Sequence, residues 1–522
     1  MSAIPTATAR SSDSSDAKNK TIILAAVCLA GLMMPLSFTG PAVATPAIAR
    51  ELHGSPIALA WVVNAFVLAF GSCVMAAGTL ADQLGRKRIF RAGVVGFTLL
   101  SLITALAPNL LLLDLLRGAQ GVAAALAMAG GAASLAQEFE GAARTRAFSL
   151  LGTTFGVGLA FGPIWSGFLI EALGWRAIFF TGALIGMLVL VFGLPRMHET
   201  RDPHARGIDW WGTLSFTAAL SLLIFGITLA PQSGWASVPV LALLLSAAAL
   251  LLAFIWIELH QERPMLELSL FLYPRFIGVQ LLPLATAVCF VVLLIVLPIG
   301  FIGVEGYSEI QAGMMMIPLS APMAIVPFVA GVLARHVSSG LLSALGLVTA
   351  ALGLLWLAAI PLGQQSMAVI WPMLLIGVGT GLPWGLMDDL SISVVPKERA
   401  GMATGIFSTM RLAGEAIALA AVGATLMALM QSGLRQQGAL ADTTIAAIAN
   451  DMAAGDFSHA TTLAPQADLA MLTAVYADAF HTTLYVLAGL TIVAALISFA
   501  MLRAPHNTAN RKLPAPCEAA EL

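Results

Sequence analysis

Charge is scarce in this 522-residue chain, with Asp, Glu, Lys and Arg together making up 10% of it. Soluble domains carry about 25%, so a string of water-facing globules is excluded. The formal net charge of −2 gives no electrostatic reason to bind nucleic acid. Cysteine is scarce as well. Cys28, Cys73, Cys289 and Cys517 stand in apolar runs or the final tail, without the spacing of a metal site or a disulfide framework. The eight histidines fall mainly in loops and are not paired on one helix, so neither a metal nor any other cofactor is expected. What abounds is apolar: 59% of the chain is hydrophobic and the mean hydropathy is +0.92. The solvent of such a chain is lipid.

Residues 1–20 are Ser-rich, end in Lys18 and Lys20, and lack the apolar core of a signal peptide, which predicts a disordered cytoplasmic tail. Fourteen apolar runs follow between residues 21 and 502, each long enough to cross about 30 Å of hydrocarbon. With the N-terminus inside, Arg50, Arg176 and Arg435 fall in outside loops and Arg117 and Arg411 inside spans. The other twenty of the 25 basic residues are cytoplasmic. A 20-to-3 bias obeys the positive-inside rule and places both termini in the cytoplasm. The outside segment 431–479, with five aspartates and one arginine, is expected to be a solvated loop.

An internal echo divides the chain. Gly78, Leu80 and Ala81 recur as Gly331, Leu333 and Ala334 at a constant offset of 253, each set at a cytoplasmic turn. The fold class expected is therefore an all-α polytopic membrane protein. Two six-helix bundles, 21–195 and 276–503, would be related by pseudo-two-fold symmetry, with two additional helices at 210–258 and a cytoplasmic tail at 504–522.

The most informative string is GTLADQLGRKRIF, in which Gly78, Asp82, Gly85, Arg86, Lys87 and Arg88 fit G-x-L-A-D-x-x-G-R-K-R. Its glycines allow helix ends to approach, and its Asp–Arg alternation permits ion pairs that latch one conformation. Span 4 carries LLRGAQG with Arg117 and Gln120. Span 5 carries GLAFGPIWSG, with Gly158, Gly162, Pro163 and Gly167 making a smooth helix face that packs closely and bends.

Together these strings resemble the major facilitator superfamily. Asp209-Trp210-Trp211-Gly212, opening span 7, resembles the start of the extra helix pair in its fourteen-helix drug:proton antiporter family. The resemblance runs from about residue 21 to 503. It implies export by exchange, since the span-5 string resembles that family's antiporter motif. The chain departs from the family in span 1, which reads LSFTGPAVATP and places Ser37 where relatives carry an aspartate. Glu415 conversely stands where a glycine is usual.

Ionisable residues at membrane depth cost about 2.5–3.5 kcal/mol on insertion scales and so mark function. Asp114 and Arg117 are three residues apart, and Arg411 and Glu415 four apart, so each pair is expected to meet on one helix face and to serve in proton coupling or gating. Asp388 and Asp389 are more exposed candidates, and Asp209 is read as interfacial. Ser37, Asn64, Phe66, Gln120, Met315 and Trp384 are the candidate cavity lining, with Met33, Met34, Met314 and Met316 offering an adaptable apolar surface.

The expected function is proton-coupled export of amphiphilic or hydrophobic small molecules through alternating access, in a bacterial cytoplasmic (inner) membrane. The expected partners are the substrate, protons and the lipid bilayer. A periplasmic adaptor protein is neither required nor excluded. The altered span 1 keeps open a dedicated exporter of one metabolite, such as a siderophore or antibiotic. A membrane-embedded enzyme is disfavoured because no nucleophile–base arrangement, metal cluster or phosphate loop is present.

Overall fold

The computed structural model describes residues 8–52, 56–139, 141–201, 209–261, 266, 268–334, 336–362, 367–394, 400–437, 442–463 and 468–502. The expected tail 504–522, residues 1–7, and the basic residues Arg206, Arg263, Arg335, Lys397 and Arg399 lie outside these. The first half comprises α1 (Thr8–Leu52), α2 (Pro56–Leu84), α3 (Arg86–Ala105), α4 (Leu110–Glu138), α5 (Gly141–Leu173) and α6 (Ala177–Leu188), which runs on through a π segment, Val189–Gly193. The inserted pair is α7 (Trp210–Ser233) and α8 (Val238–His260). The second half comprises α9 (Pro274–Thr286), continued by a π segment (Ala287–Val291) into α10 (Leu293–Gly303). A broken span follows, made of α11 (Glu309–Met315), α12 (Ile317–Ser320) and α13 (Pro322–Leu333). Then come α14 (Ser339–Ala358), α15 (Ile370–Ser393), α16 (Ala400–Gln436), α17 (Asp442–Ala454), α18 (Phe457–Leu463) and α19 (Leu469–Leu502).

Twelve of these helical stretches are long and apolar enough to cross a membrane, and two bent ones bring the number to fourteen. The bends have local causes. In α5 the turn is 45° between Leu159 and Phe161, where the Pro163 ring abuts the carbonyl four residues back. In α2 it is 50° between Val74 and Ala76, just past Ser72, whose hydroxyl donates to the Leu68 carbonyl at 2.7 Å and competes with the helix's own bonds. Large apolar side chains such as Leu111, Trp211, Leu245 and Phe328 are exposed; they face where lipid would be, and the protein is a multi-pass membrane protein.

Helices pack through small residues, as they must where lipid tails remove the hydrophobic drive to associate. A Cβ on Gly93 of α3 would strike the backbone of α4 at Ala127, and one on Gly346 of α14 would strike the Gly379 carbonyl of α15 at 2.5 Å. Gly93 and Gly346 are also 253 residues apart, so the echo read at the turns extends into the packing of each half. The inserted helix α7 lies against both α2 and α16, while α8 packs on α7 and is largely exposed.

Two expectations need correction. The N-terminal tail is not disordered from residue 8 onward: α1 begins at Thr8, because adding turns to an existing helix avoids the cost of nucleation. Segment 431–479 is not a solvated loop but mostly helix: α16 runs on to Gln436, and α17 and α18 form a cap before α19 begins. Ile445, Ile448, Ala449, Met452, Phe457 and Ala460 of the cap are buried. The aspartates of the segment conceal this apolar stripe from a reading by charge.

The cap is fastened by His459, whose Nδ1 lies 2.8 Å from Asp451 Oδ2. The hydrogen bond and charge of Asp451 hold the His459 imidazole above its ordinary value, and burial raises the Asp451 carboxyl. The imidazolium–carboxylate contact is complete below the raised histidine pKa and above the aspartate's, and it is lost as pH rises through the former. Hydrogen-exchange protection factors in α18 are therefore expected to fall as pH rises through the His459 transition, and a His459→Gln chain to show no such step.

Candidate functional site

The Arg117 side chain is fully buried in the first bundle. Its Nε donates to the Val62 carbonyl at 2.7 Å, one Nη to the Ser37 carbonyl at 2.6 Å, and the other to Gln120 Oε1 at 2.9 Å. Gln120 Nε2 in turn donates to Ser101 Oγ at 2.8 Å. The guanidinium also lies 4.4 Å from the Phe66 ring centroid. One planar fork thus joins α1, α2 and α4. Pro41 explains part of the geometry: with no N–H, it leaves the Ser37 carbonyl four residues back free to accept. The expected Asp114–Arg117 contact is not a hydrogen bond: all three guanidinium nitrogens donate instead to two backbone carbonyls and an amide. Asp114 Oδ1 is instead buried without a hydrogen-bond partner among the described residues. Gln120 and Ser37 are both part of this node, Ser37 through its backbone oxygen.

The expected Arg411–Glu415 pair is likewise absent. Arg411 reaches across to α15, its Nη1 3.6 Å from Asp388 Oδ1, and sits 5.7 Å from the Trp384 ring centroid. Glu415, a buried residue of α16, makes no hydrogen bond or ion pair among the described residues. It borders a small cavity of about 20 Å³ with Phe38, Phe66, Phe70, Phe155 and Trp384, drawn from α1, α2, α5, α15 and α16. Phe66 and Trp384 both border this cavity, and both halves contribute to its walls. Asn64 lies elsewhere, in a second cavity, and Met315 is core.

The antiporter-like helix α5 divides its glycines between two neighbours. A Cβ on Gly158 would meet Pro35 of α1, and one on Gly162 would meet Thr39 of α1. Gly167 and Pro163 face the other half instead. A Cβ on Gly167 would strike the backbone of α11 at Glu309, and one on Gly313 would lie 2.6 Å from the Pro163 carbonyl. Polar contacts close the same end: Arg50 Nη2 to Glu309 Oε1 at 2.6 Å, and Ser308 Oγ to Glu171 Oε2 at 3.3 Å. Beside them Trp175 and Arg176 both bind Glu51. Glu51, Glu171 and Glu309 are site residues that sequence reasoning missed; each stands near a span end with nothing nearby in the chain to mark it.

At the opposite end the G-x-L-A-D-x-x-G-R-K-R loop bonds within its own half. Arg86 pairs with Asp82 at 2.9 Å and donates to Gln137 of α4 at 2.5 Å. Lys87 Nζ donates to the Met197 carbonyl at 2.7 Å, and Arg88 lies 3.6 Å from Glu199. Gly85 has φ 112°, and a Cβ there would collide with the Glu199 carboxylate. Gly78 departs from its expected part: nothing lies within 4 Å of a Cβ placed on it. The loop clasps the segment after α6, which the sequence pattern gave no reason to place there.

Two helical halves meet at a buried acidic cavity, shut at one end and joined by an inserted pair: this is the plan of an alternating-access membrane transporter. The model of the Major Facilitator Superfamily matches residues 26–419, and the chain belongs to that superfamily. It is thus a transporter of small molecules, not an enzyme. Multidrug resistance protein Stp of Mycobacterium tuberculosis is 33% identical over 394 residues, covering 75% of this chain and 73% of Stp. Cephamycin export protein CmcT of Amycolatopsis lactamdurans is 32% identical over 419 residues, covering 79% and 86%. Among solved structures, a bacterial homologue of the human lysosomal transporter Spinster, inward-facing and unoccupied, matches with TM-score 0.63 at 16% identity, over 93% of this chain and 97% of that one. That likeness shows the fold alone.

Two outcomes are expected from this geometry. Arg117→Lys should destabilise the chain by about 1–3 kcal/mol for each carbonyl left unpaired, because an ammonium cannot reproduce the fork; a lower Tm in detergent measures it. Gly167→Val should push α5 from α11. In a chain freed of native cysteines, the yield of a short thiol cross-linker between Glu171→Cys and Ser308→Cys should then drop severalfold.

Proposed function

We propose that this protein is a proton-coupled exporter of amphiphilic small molecules, of the fourteen-helix drug:proton antiporter type. Both termini would lie in the cytoplasm of a bacterial cell, and Glu415 would be the residue at which proton and cargo compete. The supporting observation is the Glu415 carboxylate, buried among aromatic rings with its nearest arginine engaged by Asp388. An ionised carboxylate in such surroundings is costly unless a cation or a proton neutralises it. Cargo carrying positive charge and a proton therefore exclude each other there, and mutual exclusion at one group is what exchange requires.

The cavity of about 20 Å³ holds no more than a water, so cargo must enter by separation of the halves. The closed Arg50–Glu309 end carries residues that the 20-to-3 distribution of basic residues assigns to the outside. In this reading the chain is shut outward, and breaking the Gly167 and Gly313 contacts opens the exit. The described ion pair of the Asp82–Arg86 loop lies within its own half here, and in the opposite state the loop would latch the halves together. The 14-helix assignment is supported by the two bent helices and by α7 and α8 beginning at Asp209, whose side chain caps α7 by accepting from Gly212 N at 2.8 Å.

A narrower cargo range is favoured by one observation: Ser37 offers no acid in α1, so Glu415 of the opposite half is alone at the cavity. Resemblance to a protein named for cephamycin export is in keeping with a single exported metabolite.

Growth of a pump-deficient host on a panel of amphiphilic toxins provides the test. Wild type is expected to protect against at least one compound, and Glu415→Gln, expressed at equal level, to lose that protection. Adding the compound to energised inverted vesicles should dissipate the internal acid gradient with wild type alone. Full protection by Glu415→Gln would remove this residue from the mechanism, and protection without proton movement would remove the coupling.

A further inference from the structure

A larger cavity, of about 150 Å³, lies between α2, α10 and α16 and beneath the cap helix α17. It shares no lining residue with the cavity at Glu415. Its walls are apolar apart from Thr45, Asn64, Thr228 and Tyr476, and they include no charged side chain. The Thr45 hydroxyl is satisfied by the Pro41 carbonyl at 2.9 Å. The other two hydroxyls are not: Thr228 Oγ1 and the Tyr476 phenol oxygen are buried with no hydrogen-bond partner among the described residues. Tyr476 is only 1% exposed. Buried hydroxyls are almost always bonded, so two orphans on one cavity wall call for an occupant.

Size and polarity define that occupant. An apolar cavity of about 150 Å³ accepts a benzene ring and stays dry when empty. Here the same volume carries hydroxyls that a plain hydrocarbon would leave unpaired. Charge is excluded, since nothing in the wall would neutralise it. We propose that this cavity is a binding site for a neutral, single-ring aromatic molecule bearing one hydroxyl, a phenol in chemical class. The ring would lie against the aliphatic walls from α10 and α16, and its hydroxyl would bond Tyr476 and Thr228. The walls come from both halves and from α7, so an occupant ties the halves together and favours the arrangement described here over any in which they part. This inference does not depend on proton exchange at Glu415.

Gly423 makes the site testable. It lines the cavity, and a Cβ placed on it meets nothing within 4 Å, so a larger side chain there fills space without displacing backbone. The experiment is fluorine NMR of 4-fluorophenol, and of fluorobenzene for comparison, with the full chain in lipid nanodiscs; empty nanodiscs correct for partition into lipid. Wild type should broaden and saturate the 4-fluorophenol signal. Gly423→Phe should abolish this saturable binding. The near-isosteric double variant Tyr476→Phe with Thr228→Val keeps the walls intact, and should weaken 4-fluorophenol about tenfold while leaving fluorobenzene unchanged. Saturable binding that survives Gly423→Phe would place the ligand elsewhere. Equal loss of both probes in the double variant would refute recognition by the hydroxyls, and no saturable binding to wild type would overturn the site. The growth assay with Glu415→Gln reads the other cavity, so failure of either proposal leaves the other standing.

Discussion

Hydrocarbon offers a polar atom no partner, so each charge taken below the membrane surface has to be met by the protein itself. Arg117 shows how far this demand organises a fold. Its fork is met by two backbone carbonyls and an amide from three elements, which fixes α1, α2 and α4 relative to one another. With α1 held, Pro35 and Thr39 stand where the small face of α5 can lie against them. The position of α5 then decides where Gly167 meets α11. A chain of contacts leads from one satisfied guanidinium to the closed end of the molecule.

Glu415 is the counterpart at the cavity, an ionisable group that makes no hydrogen bond or ion pair among the described residues. Arg411 is one turn away but turned toward Asp388. The contrast separates charges that build the structure from a charge left over, and it is the leftover one that the proposed exchange uses. Had Arg411 paired with Glu415, as spacing alone suggested, the cavity would contain a neutralised ion pair with little reason to attract a proton or a cation.

Much of the architecture was legible in the chain. Hydropathy located the spans, because a bilayer sets a minimum apolar length, and the offset of 253 between Gly78 and Gly331 anticipated the parallel packing at Gly93 and Gly346. Phe66 and Trp384 are read as cavity lining and Glu415 as a coupling residue; that all three border one cavity could not be read from the chain, because nothing local brings three separate helices together. The pairings made between helices were not legible. Helical spacing says which side chains share a face, but Arg117 and Arg411 are long enough to leave their own helix for a neighbour. Glu309 and Arg50 lie 259 residues apart, and no local pattern could join them. Segment 431–479 was misread because its five aspartates outweighed a short apolar stripe that becomes visible only once the segment is helical.

The π segment Ala287–Val291 has a consequence for how a span can vary. An α-helix advances about 100° per residue, so the extra residue in a π turn rotates everything beyond it relative to what came before. Below the segment α9 presents its surface to α15, α16 and α19. Above it Val292, Ile295, Val296 and Ile299 form a single stripe facing the larger cavity. The two ends of one span are thereby uncoupled in phase. Substitutions in the upper stripe can reshape that cavity while the lower end keeps its seat in the bundle, so one membrane crossing behaves as two independently adjustable parts.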